Sequence, residues 1–212
     1  MRIKASSVRN VDLVYVQDLH RSGSVVMDFI ARLSDAVAAS PPDDRSFLRP
    51  ISFLDREHYR QRVTYGILKI LADDPGRSTA WRDAVAVLTS LTEHLPLHIQ
   101  DEEQDLFEML RLRALPEDRI DAVLDRLTYE HENDERYVSP LLDELRRMAG
   151  GEPPVDPSGF RAAAHAFAEL QQRHLEWENA VVLPLARERL SDEDLVRLGR
   201  RMAARRGVRL SA

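Results

Sequence analysis

Apolar residues in this chain recur with a helical period almost from end to end, and no segment alternates apolar and polar residues as a half-buried strand would. That restricts the fold to packed helices. Six helical stretches are predicted: about 13–38, 51–72 (helix A), 79–113 (helix B), 117–148 (helix C), 158–190 (helix D) and a short last helix opening at "SDED". Paired prolines in "SPPDDRS" end the first stretch, "DDPGRS" and "ALPED" separate A from B and B from C, and "GGEPPVDPSG" is the clearest break. Ser191, with Asp194 three residues on, predicts the N-cap of the last helix. Long helices with short connections predict an all-α, antiparallel up-down four-helix bundle, with an extra N-terminal helical segment and a short C-terminal helix. The expected organisation is 1–48 as the N-terminal segment, 49–190 as the bundle and 191–212 as the last helix and tail. Pro96, Pro140 and Pro184 fall inside helices B, C and D, where each removes a backbone donor and is expected to kink the helix.

The core-facing stripes are not uniformly apolar. Helix A reads Leu54, His58, Gln61, Tyr65, Leu68, Leu71, and helix B reads Leu91, Leu95, His98, Glu102, Leu106, Met109. Helix C reads Leu124, Leu127, His131, Glu135, Val138, Leu142, and helix D reads Phe167, Leu170, His174, Glu178, Val181, Leu185. Each helix puts a histidine on its apolar face, and three follow it with a glutamate one turn later. Residues at i and i+4 share a face, so both side chains can reach one ion or two adjacent ions. One such histidine is ordinarily a hydrogen-bonded core residue. Four are not so easily dismissed, because a buried carboxylate is costly unless paired or metal-bound, and these stripes hold no arginine.

Height along the bundle supports convergence. His98 lies about 15 residues before the end of helix B and His131 about 14 after the start of helix C; His131 and His174 flank their turn at about 17 and about 16 residues, each residue rising about 1.5 Å. His58 and His98 match more loosely, at about 14 and about 20 residues on the same rise. Four imidazoles and at least two carboxylates exceed the needs of one ion, which points to a dinuclear metal site. His165, half a turn away from His174's face, reads as surface. His94, one turn before His98, is a further candidate ligand or a neighbour of one, and His20 lies outside the four helices.

Composition narrows the chemistry. The chain has no cysteine, which excludes disulfides, thiol catalysis and thiolate-held clusters, so a metal must use nitrogen and oxygen ligands. A net charge of −6 argues against general nucleic-acid binding, no apolar run has the length of a membrane span, and "MRIKASSVRN" lacks an apolar signal core, so the expected location is cytoplasmic. The Arg-rich "RLGRRMAARRGVR" reads as a solvated helix end rather than a nucleic-acid contact. Asp101, Glu103 and Asp105 read as solvated charges or as neighbours of the ligands, with Tyr65 and Tyr129 as further neighbours.

The segments "REHYRQR", "HIQDEEQDLF", "EHENDE" and "HLEWENAVVLPLA" resemble the hemerythrin-like, or HHE cation-binding, family over about 51–190. The pattern is a helix A histidine, His-x3-Glu on B, a histidine on C, and His-x3-Glu followed by Leu-Pro on D; ferritin-like di-iron bundles pair Glu-x2-His instead. The resemblance implies two iron ions, with zinc or manganese able to use the same ligands. Glu102 and Glu178 would bridge them, and His58, His98, His131 and His174 would be terminal ligands. Oxygen-carrying relatives have a second histidine four residues after the one on C, where this chain has Glu135, and a histidine followed by aspartate five residues on in D. Both departures tell against reversible oxygen carriage. Either Glu135 adds an anionic ligand that favours the ferric state, or it points away and leaves an open position.

The resemblance implies a protein that binds or senses O2, NO or reactive oxygen species, with a small diatomic ligand or peroxide as its partner. Alternatives are a di-iron enzyme turning over peroxide or NO, an iron-handling protein linked to iron–sulfur cluster repair, and a bundle whose metal site is structural. Relatives in cluster repair carry an N-terminal cysteine-containing region that this chain lacks.

Overall fold

In the computed structural model, residues 44–210 are described, the side chains of Asp44, Asp134 and Glu135 excepted. The expected helix over 13–38, and with it His20, lies outside these residues. Every regular element among them is helical. A short 3-10 turn, Asp44–Leu48, leads into α1, Pro50–Asp73. The second rod is α2 (Ala80–Thr89), a π turn (Ser90–His94), α3 (Leu95–Asp101), a second π turn (Glu102–Leu106) and α4 (Phe107–Arg113). The third rod is α5, Asp121–Ala149, reached through a 3-10 turn at Pro116–Asp118. The fourth is α6 (Pro157–Trp177), a π turn (Glu178–Val182) and α7 (Leu183–Arg189), and α8, Asp192–Arg205, closes the chain.

The rods form a ring in which each packs on its sequence neighbours and the fourth returns to the first. Local chemistry fixes the rod ends. Asp156 caps α6 by accepting from the Gly159 backbone N–H, with Pro157 pre-set for the first turn. Ser191 and Asp194 form a reciprocal capping box on α8, as their spacing predicts.

Two apolar clusters fill the interior. One contains Leu68, Leu71, Val87, Leu91, Leu95, Leu145 and Phe167; the other contains Leu54, Leu106, Leu110, Leu124, Leu127, Val182 and Leu183. A buried aliphatic side chain contributes about 1.5–3 kcal/mol through burial, so these clusters carry the fold. Each rod's histidine falls between them in sequence: His58 between Leu54 and Leu68, His98 between Leu95 and Leu106, His131 between Leu127 and Leu145, His174 between Phe167 and Val182. The polar layer is thus sandwiched by apolar ones.

The stripes of helices A and B are buried as expected. Those of C and D drift. On α5, Leu141, Leu145 and Met148 are buried while Val138 and Leu142 are only partly so. On the fourth rod, Val182, Leu183 and Ala186 are buried while Val181 and Leu185 sit at the margin. There the cause is the π turn Glu178–Val182, where the Leu183 N–H bonds to the Glu178 carbonyl five residues back. The wider turn shifts every later residue around the helix. Pro96 and Pro184 each follow such a turn, whereas Pro140 lies within the uninterrupted α5.

The C-terminal helix is not a solvated end. Leu198, Met202 and Ala203 join the second apolar cluster. A Cβ on Gly199 would come within 2.0 Å of the Phe47 carbonyl oxygen, so only glycine permits this approach to the Asp44–Leu48 turn. Arg205 and Arg206 pair with the fully buried Asp101 at 2.8 Å each, and Arg201 and Arg205 pair with the buried Asp105. The expected solvated tail and solvated aspartates are therefore the two halves of one charge clamp. Burial raises the Asp101 carboxyl above its ordinary value even against Arg206 and Arg205.

Candidate metal centre

His58, His98, Glu102, His131, His174 and Glu178 are brought into one layer by the four rods, all buried or nearly so. They form two groups whose potential ligand atoms lie within 4.8 Å of one another: His58, His98, Glu102 and Glu178, and Glu102, His131, His174 and Glu178. Both glutamates belong to both groups. Each also opens a π turn, and such turns commonly occur where a helix must re-aim a functional side chain.

Three of the four imidazoles are oriented from behind, while His98 Nδ1 has no hydrogen-bond partner. His131 Nδ1 lies 2.9 Å from Glu103 Oε1, and His174 Nδ1 lies 2.9 Å from Glu130 Oε2. His58 Nδ1 lies 3.1 Å from Asn179 Oδ1, while the Asn179 amide donates to the Leu175 carbonyl. Each acceptor calls for a proton on Nδ1, so each of these rings, when neutral, presents its Nε2 lone pair to the interior. His58 Nε2 faces Glu102 Oε1 at 3.4 Å and Glu178 Oε2 at 3.5 Å; His98 Nε2 faces Glu102 Oε2 at 3.3 Å; His174 Nε2 faces Glu178 Oε1 at 3.0 Å. His131 Nε2 and His174 Nε2 face each other at 2.9 Å.

This is an interior of acceptors with few donors. Glu102 Oε2 and Glu178 Oε2 are buried without a hydrogen-bond partner. A buried carboxylate oxygen left without a donor is costly, and a bound cation would offset that cost. Nitrogen and oxygen donors in these numbers suit iron, zinc or manganese. Protons are the alternative counter-charge. Burial lowers the His174 ring, but Glu178 and Glu130 outweigh it and lift it to about 11. Burial would raise Glu102, yet His98 and His58 hold it well below the usual carboxylate range. A hydrogen bond from His174 takes Glu130 down to about 2.

Other predicted residues lie elsewhere. His94 joins neither group: its Nδ1 sits 3.2 Å from Arg60 Nη2, and burial followed by the Arg60 charge lowers its pKa. The Glu135 side chain lies outside what the structure describes. Of the expected neighbours, Glu103 does contact a site histidine, Asp101 turns to the C-terminal arginines, and Tyr129 is exposed. Tyr65 is buried but bonds to Gln61 and Gln171 rather than to an imidazole. His165 pairs with Asp73 near the surface. Glu130 and Asn179 are additions that sequence reasoning missed. Each is next in sequence to a predicted ligand, and only the packing turns it onto the neighbouring rod's histidine.

A family model described as the hemerythrin HHE cation-binding domain matches residues 49–186. No curated protein matches the chain. Among the described residues no helix is long and apolar enough to cross a membrane.

Proposed function

Because the chain belongs to the hemerythrin HHE cation-binding family, we propose that its polar layer holds two iron ions side by side and serves to bind or sense O2, NO or reactive oxygen species. The carrying observation is that two four-residue groups share both Glu102 and Glu178. Shared carboxylates between paired imidazoles are what a bridged dinuclear centre needs. His58 and His98 would hold one ion, His131 and His174 the other, with Glu102 and Glu178 spanning both. Zinc or manganese would find the same donors.

Iron bound there would supply redox electrons and an acceptor position for a small ligand. The chain's own residues set the conditions. Glu103, Glu130 and Asn179 hold the Nδ1 protons of His131, His174 and His58, which fixes their tautomers, and the two carboxylates raise ligand basicity. The apolar clusters on either side keep bulk water from the layer.

The test is anaerobic reconstitution of the full chain with iron(II), metal analysis, and an optical spectrum on exposure to air and then to NO. Two irons per chain and a stoichiometric spectral change are expected of a binder or sensor. Sustained turnover of peroxide or NO, lost in His98→Ala, would instead make the protein an enzyme. Less than one iron per chain would sink the dinuclear reading.

A further inference from the structure

One buried polar group on the core face of α1 is left over once the metal layer is accounted for. Gln61 is 8% exposed and its Nε2 has no hydrogen-bond partner. It stands one turn beyond His58, about 4.5 Å along the axis and on the same face. Gln171 stands one turn before His174 on the adjoining rod and is 2% exposed. The Tyr65 hydroxyl joins them, its single proton shared between Gln61 Oε1 at 3.0 Å and Gln171 Oε1 at 3.1 Å. Phe167 packs edge-on against the Tyr65 ring at 5.6 Å and holds it there. On the opposite side of the metal layer the described residues one turn along each rod, Leu54, Leu106, Leu127 and Val182, are apolar and fully buried.

Desolvating two carboxamides and a phenol where leucines would pack is unfavourable, and leaving an amide N–H unsatisfied adds about 1–3 kcal/mol. Tyr65, farther from the metal layer, lies at the Gln61 oxygen, so the partnerless amide nitrogen is the end of the side chain left to meet a ligand. We propose that Gln61 is the hydrogen-bond donor to a small anionic ligand of the peroxide class held at the metal centre, with Tyr65 and Gln171 keeping its carboxamide in place. The inference rests on the dinuclear reading above and narrows it. An amide N–H strengthens an anion, whose charge it meets, far more than a neutral diatomic molecule. The site therefore favours peroxide-level oxygen over neutral O2 or NO.

Azide serves as the probe, because it is a small, stable anion with a vibrational signature. The full chain loaded with ferric iron is titrated with sodium azide as wild type and as Gln61→Leu, with iron content measured for both. The variant is expected to keep its iron and to weaken azide binding by about 10- to 100-fold, the loss of one hydrogen bond to a charged group. The azide stretch should shift between H2O and D2O in the wild type and not in the variant. Gln61→Met, which is unbranched, makes the same measurement if the leucine variant does not fold. Unchanged or tighter azide binding with iron intact overturns the proposal, as does a D2O shift that survives the substitution. Absence of iron from the wild-type chain would sink the dinuclear reading itself, and the metal analysis tells the two failures apart.

Discussion

His131 Nε2 and His174 Nε2 point at each other across 2.9 Å, while the far nitrogens of both rings are engaged by the carboxylates of Glu103 and Glu130. With both rings neutral and protonated on Nδ1, two lone pairs meet, and a cation between the rings would convert that repulsion into coordination. Adding iron(II) at about 100 times its dissociation constant should stabilise the fold by about 2.7 kcal/mol for each ion bound, which is about 5–10 °C in Tm per ion for a chain of this length. His174→Ala should lose most of that gain and at least one bound ion. Differential scanning calorimetry with and without metal checks this, and an identical rise in the variant would remove His174 from the ligand set.

Glu130→Gln leaves a carboxamide behind His174 in place of a carboxylate. Metal affinity should fall by about 10- to 100-fold, the usual effect of changing the partner of a ligating imidazole. Glu132→Gln, on an exposed neighbour, should have no effect. Competition with a calibrated chelator measures both, and equal affinities would mean the Glu130 contact is incidental.

Arg205→Ala strips one partner from each of two buried aspartates on the rod that carries His98 and Glu102. Arg206 and Arg201 retain one contact each, so the loss should be at the low end for a broken buried pair, about 3 kcal/mol. Urea denaturation of the metal-free protein measures it. Arg197→Ala, whose guanidinium is about half exposed, should cost much less.

Asp194 accepts from Arg113, Ser191 and Arg197, and the Arg113 hydrogen bond is the main cause of its pKa falling to about 2. A folded-state pKa below the unfolded one contributes stability that is present above the ordinary value of 3.8 and lost as pH falls through about 2. Asp194→Asn should therefore be less stable than the wild type at pH 7, with the gap closing between about pH 4 and pH 2. Urea midpoints at three pH values give the result, and a gap constant down to pH 2 would rule out the charge as its source.

Much of this protein was legible from side-chain order alone. A histidine set in the apolar stripe of each of four helices, three of them followed by a glutamate at i+4, is a local pattern, and helical periodicity converts it directly into a shared face. The same reasoning found the capping box at Ser191 and Asp194, because a cap is satisfied within a single turn. It failed where a helix departs from a uniform period or where one residue's placement depends on another rod. The drift from Val181 to Val182 at the core follows from a π turn that a uniform 100° step cannot anticipate. Asp101 and Asp105 looked like solvent-facing charges until α8 folded back with Arg201, Arg205 and Arg206.

The sequence by itself determined the helices, the bundle and the common level of the four histidines, since those depend on period, breakers and distance from a turn. Tertiary structure alone decided which nitrogen of the His58, His131 and His174 rings faces inward. That choice belongs to Glu103, Glu130 and Asn179, which reach the rings across rod interfaces. It also decided that the acidic flank of the His98 rod would be neutralised by the chain's last helix, because pairing between residues about a hundred positions apart is set by packing and not by spacing.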